Sequence, residues 1–256
     1  MMSWLMGLSG RSSEPLPKKT QLFLSDIFVS VTRKPIKNLH LRLVPPAGQV
    51  EVSAPMHLTD AQIKTSLQPR LTWIKEKQAA LAQRPVVQPK TWVSGEQHAY
   101  LGNVYRLVVI ESEKSRPSVT VDALQNQLVM QVPRGATIEH KAKVMAHFYR
   151  MTLKQLIPEL LAKWQPTMGV EALDWGVKDM KTRWGTCNTR DKRVWLSLML
   201  AKMPVECIEY VMVHELVHLL ERNHTPRFHA LMTQFLPNWP ALQQQLNQSA
   251  RNELSL

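Results

Sequence analysis

Residues 205–220 form an almost wholly apolar run that includes Ile208, Val211, Met212, Val213, Leu216, Val217, Leu219 and Leu220. Set into that run are His214, Glu215 and His218 in the pattern H-E-x-x-H. A helix apolar on most of its faces is buried, and burying two imidazoles and a carboxylate without partners is costly. A metal ion removes that cost. Residues i and i+4 of a helix project from one face about a turn apart, so His214 and His218 can address a single ion. A catalytic zinc site takes three protein ligands and keeps one position open for water. Glu215 lies roughly 100° further round the helix, beside that open position, where it can take a proton from the water. The competing reading is a core helix whose histidines only hydrogen-bond to backbone.

Turn chemistry points to the third ligand. Asn223 tolerates the left-handed conformation that commonly ends a helix. Thr225 followed by Pro226 reads as an N-cap with proline in the first helical position. His224 therefore falls in a break between two helices, free to swing back to the metal. His229 is the competitor, but it lies inside the second helix and is expected behind the ligands rather than on the ion. The spacing of His214, His218 and His224 equals that of the metzincins. Their pattern needs Gly where this chain has Glu221, and the last 27 residues offer no Met-turn, so that assignment is set aside.

The run His-Glu-Leu-Val-His-Leu-Leu-Glu-Arg-Asn-His-Thr-Pro-Arg-Phe, residues 214–228, resembles the YgjP-like metallopeptidase-type family. That family is related to the SprT and Spartan zinc proteases, whose third histidine also precedes a phenylalanine by four residues. A second family-like motif lies upstream, at Met180, Lys181, Thr182, Arg183, Trp184, Gly185, Thr186 and Cys187. The resemblance covers about residues 20–245. It implies a minimal zincin core with one zinc ion on the three histidines, Glu215 as general base, and a peptide or protein as the leading substrate.

The remaining composition sets bounds. With 256 residues, 44% of them hydrophobic, the chain can bury a sizeable core in one or two domains. No uninterrupted apolar stretch reaches membrane-spanning length, so no membrane association is expected. Residues 1–10 have no basic residue before them and no clear cleavage site, so a signal peptide is not expected. Cys187 and Cys207 form no C-x-x-C motif and fit reduced thiols of a cytoplasmic protein. Cys187 is either a packed thiol or a side chain near the metal. The net charge of +12 is uneven: residues 1–90 hold 13 basic and 5 acidic side chains, residues 91–170 hold 9 and 6, and residues 171–256 hold 10 and 9. Such a surplus suits a nucleotide, a nucleic acid or an acidic protein, or simply a solvated basic face.

Along the chain, residues 1–20 read as a mobile tail. Alternating segments at 28–32, 39–44 and 50–54 read as strands, with a turn at Pro45-Pro46-Ala47-Gly48. Thr59 and Gln62 make a capping box for a helix expected to reach about residue 83, with Ile63, Leu67, Leu71 and Ile74 in its apolar stripe. The plan repeats: strands at 105–110, 119–123 and 127–132, then a helix from about 137 to 164. Gln49, Pro55 and Thr59 match Gln127, Pro133 and Thr137 at a constant offset of 78, which suggests an internal duplication. Residues 84–90 read as a linker. The expected organisation is a tail (1–20), a β-β-β-α unit (21–90), a second such unit (91–166) and a zinc-binding core (167–256).

Within that core, residues 194–198 read as an edge strand beside the metal, the place where zincins hold an extended substrate through main-chain hydrogen bonds. Residues 178–193 hold six basic and two acidic side chains. Arg183 and Lys181 in this segment can stabilise the negative charge of a transition state. Alternatively Trp184 anchors the loop in the core and the charges face solvent. The fold expected is α+β, and the activity that of a zinc metallohydrolase of metallopeptidase type. Two rivals stand beside it. One is hydrolysis of a phosphoanhydride such as a nucleoside triphosphate, although the chain has no Gly-rich phosphate loop. The other is a DNA-associated binding protein with structural zinc, although structural sites usually close with four protein ligands.

Overall fold

A computed structural model describes residues 19–44, 47–82, 90–113 and 116–253. It is an α+β protein that divides into two compact units, residues 1–86 and 87–256. The expected tail lies outside the described residues up to position 18. Lys19 and Thr20 correct its end, because they already belong to the first strand.

In the first unit, β1 (Lys19–Leu24), β2 (Ile27–Lys34), β3 (His40–Val44) and β4 (Gln49–Pro55) form one sheet in the order β1-β2-β4-β3. Only the β2–β4 pair is parallel. Side chains alternate across a strand, so Val29, Val31, Val50, Val52 and Ala54 share the buried face. Helix α1 (Asp60–Leu67) starts at Thr59, whose hydroxyl accepts from Gln62 N–H while the Gln62 side chain accepts from Thr59 N–H. The single helix expected to reach residue 83 is interrupted. Pro69 supplies no N–H and clashes with the preceding turn, so residues 68–70 tighten into a 3-10 turn before α2 (Leu71–Ala82). Ile63, Leu67 and Ile74 are fully buried, each worth about 1.5–3 kcal/mol.

The second unit opens with the same plan. Strands β5 (Gln97–Tyr100), β6 (Asn103–Glu111), β7 (Ser118–Asp122) and β8 (Gln127–Val132) lie in the order β5-β6-β8-β7. The pairs Val29↔Val50 and Leu41↔Val52 of the first sheet correspond to Leu107↔Leu128 and Val119↔Met130 of the second, each displaced by 78 residues. Each sheet has four strands rather than three; β1 begins within the segment expected as tail, and β5 has only four residues.

Helix α3 (Ile138–Met168) follows, capped by Thr137 and ended by Gly169 at φ 64°, a left-handed conformation that costs glycine little. Then come β9 (Asp174–Lys178), β10 (Gly185–Asn188), β11 (Arg193–Ser197), a 3-10 turn over Leu198–Lys202, α4 (Val205–Val217), α5 (Pro226–Phe235) and α6 (Trp239–Glu253). The segments expected as 91–166 and 167–256 are not separate. One continuous core runs from Leu107 and Leu128 through Leu153 and Ile157 of α3 to Leu196, Met212 and Leu246.

Two features position the site. At the β5–β6 turn, Leu101 and Gly102 donate backbone hydrogen bonds of 2.9 and 3.2 Å to the carbonyls of Ala201 and Lys202. A Cβ at Gly102 would lie 2.9 Å from the Pro204 ring, so the turn packs directly on the residue that starts α4. The small sheet has the order β10-β11-β9. The strand expected at the edge, β11, is therefore its centre, and β10 is the edge beside α4. A strand of Gly-Thr-Cys-Asn has little apolar alternation, so the sequence pattern passes over it.

Candidate metal centre

Buried Met212, Leu216 and Val217 hold α4 in the core, and the face of Val211, His214, Glu215 and His218 lines an open cavity of about 940 Å³. His214 projects from the last turn of α4. His218 is its C-cap, still in right-handed helical geometry at φ −61° and ψ −21°. The backbone then turns, and Thr225 caps α5 by accepting from Phe228 N–H at 3.3 Å. His224 lies between the two helices and swings back, so that its Nε2 sits 3.0 Å from His214 Nε2. Ligand atoms of His214, His218 and His224 all fall within 4.8 Å of one another.

These donors suit a divalent metal. His218 Nδ1 lies 3.3 Å from the Glu221 carbonyl, so a proton on Nδ1 is shared with that oxygen and Nε2 is left as the free donor. Burial, reinforced by the other histidines, drives His214 down to about 4, and burial also lowers His218. Both rings are therefore neutral at pH 7, as a ligand must be. Phe228 forms the floor, its ring centroid 4.9, 4.8 and 4.7 Å from those of His214, His218 and His224. This fully buried ring limits the tilt of all three imidazoles.

His229 faces away. Its Nδ1 lies 3.0 Å from the Thr225 carbonyl and its ring packs on Trp239 at 5.7 Å, outside the ligand group. Cys187 lines the cavity but is not in that group either. Burial, with Glu215 nearby, pushes its thiol up to about 12, so it stays protonated. Neither cysteine is in a disulfide.

Glu215 is 5% exposed. Desolvation raises its carboxyl to about 8, against the lowering influence of Arg183. Gly185 of β10 fits against it closely: a Cβ there would lie 2.6 Å from Glu215 Oε1. Arg183 lines the cavity, whereas Lys181 is exposed and is not among the lining residues. Trp184 packs on the core and its carbonyl accepts from Ser197 N–H at 2.8 Å, so this loop is both anchored and open to the site. The far wall, not foreseen from the sequence, is α6 with Gln243, Leu246 and Asn247. Its distance in the chain left no local signal.

A buried carboxylate between two of three converging imidazoles, beside the free edge of a small sheet, is the site of a metal-dependent hydrolase of the metallopeptidase type. The family model of the YgjP-like, metallopeptidase domain matches residues 37–249, and the chain belongs to that family. No curated protein matches the chain. Among the described residues no helix is long and apolar enough to cross a membrane.

Proposed function

We propose that this chain is a zinc peptidase of the cytoplasm, with one ion held by His214, His218 and His224 and Glu215 as general base. The observation that carries the reading is the convergence of three imidazoles within 4.8 Å beside a buried carboxylate. Three nitrogen donors with no fourth protein ligand among the described residues suit a catalytic zinc ion rather than a structural one. The free thiols Cys187 and Cys207 fit a reducing compartment.

Bound zinc supplies Lewis acidity, polarising the scissile carbonyl and lowering the pKa of water towards about 7. With the charge of a bound zinc holding its carboxyl ionised against the upward push of burial, Glu215 would accept a proton from the attacking water on a carboxylate oxygen as the new C–O bond forms. It then returns that proton to the amide nitrogen as the C–N bond breaks. Strand β10 pairs with β11 on one side only, so its outer backbone groups are free to bind an extended peptide as an added strand. Gly185 lets that strand approach Glu215 without a side chain between them. Arg183, facing Glu215, stabilises negative charge developing on the carbonyl oxygen.

The test is a side-by-side assay of the zinc-loaded protein on casein, defined peptides and nucleoside triphosphates. The expected result is peptide cleavage that a chelator stops, zinc restores and Glu215→Gln abolishes. Zinc- and Glu215-dependent hydrolysis of triphosphates with intact peptides would replace the peptidase reading with phosphoanhydride hydrolysis.

A further inference from the structure

Two arginines open onto the cavity: Arg183, just before β10, and Arg222, between His218 and His224. Both are exposed. Arg222 has no hydrogen bond or ion pair from its guanidinium among the described residues. The lining holds one carboxylate, Glu215, which is buried and committed to the site. The lining also includes the uncharged side chains of Asn188, Gln243 and Asn247. Asp191 is paired with Arg193, and Glu221 makes no ion pair with either arginine among the described residues; neither acid lines the cavity. The mouth of the cavity is thus cationic, although residues 171–256 as a whole are close to neutral with 10 basic and 9 acidic side chains.

We propose that Arg222, assisted by Arg183, selects peptides that carry a carboxylate next to the scissile bond. This deepens the peptidase reading and rests on it. A guanidinium offers a planar fork of N–H donors matched to a carboxylate, and an open cavity lined by one sign of charge concentrates ligands of the other. A lysine-flanked peptide meets like charge in the same place. Two sources supply the carboxylate: an internal Asp or Glu, or the free C-terminus of the peptide. A phosphate group would engage the same fork and is one outcome of the test.

The experiment uses the full chain loaded with zinc and a set of quenched fluorescent peptides differing only beside the central bond, with Asp, Glu, Ala or Lys. Each is made with a free and with an amidated C-terminus. The expected result is about a tenfold higher kcat/KM for acidic than for lysine peptides, the size of one charge-assisted contact, carried mainly by KM and reduced by 0.5 M salt. Arg222→Ala should remove most of the preference and Arg222→Glu should turn it towards lysine. The melting temperature should stay unchanged, because the side chain is exposed and unpaired. A preference that follows the free C-terminus rather than Asp or Glu assigns the carboxylate to the chain end.

Binding of the same peptides to Glu215→Gln, followed by fluorescence anisotropy, separates selectivity from turnover. Acid-selective binding that Arg222→Glu reverses, without cleavage by the parent protein, upholds the selectivity and overturns the peptidase reading. Equal cleavage of acidic, neutral and lysine peptides does the opposite. Triphosphate hydrolysis lost in Arg222→Ala, with no peptide preference, overturns both.

Discussion

Replacing Gly185 with alanine adds one methyl group at the closest approach in the site. Gly185 is not among the residues with positive φ, so alanine fits its backbone and only the new contact matters. The added Cβ would lie 2.6 Å from Oε1, 2.7 Å from Cγ and 2.9 Å from Cδ of Glu215. Carbon atoms rest at about 3.5–4.0 Å, so the Glu215 side chain or β10 must give way by about 0.8 Å. Glu215 is 5% exposed, and Cγ and Cδ are crowded as well as Oε1, so the carboxylate can relieve the contact only by turning away from β10 into the cavity it lines. Overpacking of this kind costs about 1–3 kcal/mol, and a misplacement of about 1 Å at a reacting group costs about 10²-fold in rate. Zinc content, peptide turnover and melting temperature of Gly185→Ala are the measurements. Zinc should remain, kcat should fall by about 10²-fold and the melting temperature by a few degrees. Gly176→Ala is the control, because its Cβ would strike the Trp195 ring at 2.1 Å and not the site. It should lose stability while kcat holds. Full activity in Gly185→Ala with zinc bound would refute the idea that β10 sets the position of Glu215.

Three further outcomes are expected. His214→Ala, His218→Ala and His224→Ala should each bring bound zinc well below one per chain in metal analysis, whereas His229→Ala should keep it; the reverse pattern for His224 and His229 would overturn the ligand set. Glu215→Gln should keep zinc while turnover drops by about 10²–10⁴, the usual worth of general acid–base catalysis, and a variant retaining most activity would remove Glu215 from the chemistry. His98, 2% exposed and stacked on Trp92, is held down to about 4 mainly by burial. Its folded pKa lies below the unfolded value of about 6.5, so its contribution is complete above about pH 6.5 and is lost as pH falls towards 4. The loss is roughly 3 kcal/mol at most. Urea melts of the parent protein and His98→Gln at pH 7 and pH 5 should differ by this pH-dependent part, and identical pH profiles would refute it.

The convergence of the three histidines was legible because its signal is local. His214 and His218 are related by helical spacing, and Thr225 and Pro226 mark the start of the helix that frees His224. Asn223 does not take the left-handed conformation expected of it, because the preceding helix already ends at His218 in right-handed geometry. The 78-residue offset was legible for a similar reason. Gln49, Pro55 and Thr59 recur as Gln127, Pro133 and Thr137 at the entry and exit of β4 and β8 and at the helix caps, where turn and cap geometry restrict residue choice. Pro69 carried an equally local signal for the break between α1 and α2, but the continuous apolar stripe of Ile63, Leu67, Leu71 and Ile74 outweighed it.

Only the tertiary structure decided which strand lies beside the three histidines and what surrounds them. Strand β11 carries the stronger alternation, yet it lies in the centre because β9 pairs with it in parallel from one side and β10 antiparallel from the other. Strand order depends on pairings between distant segments, which periodicity within one segment does not encode. The same holds for Arg183 and Arg222, which the chain separates by 39 positions and the fold brings to one cavity. It holds for α6, which closes the wall from the end of the described chain, and for the β5–β6 turn that packs on Pro204. A helix writes its ligand spacing into neighbouring residues; the shape and charge of the space in front of those ligands arise from contacts between residues far apart in the chain.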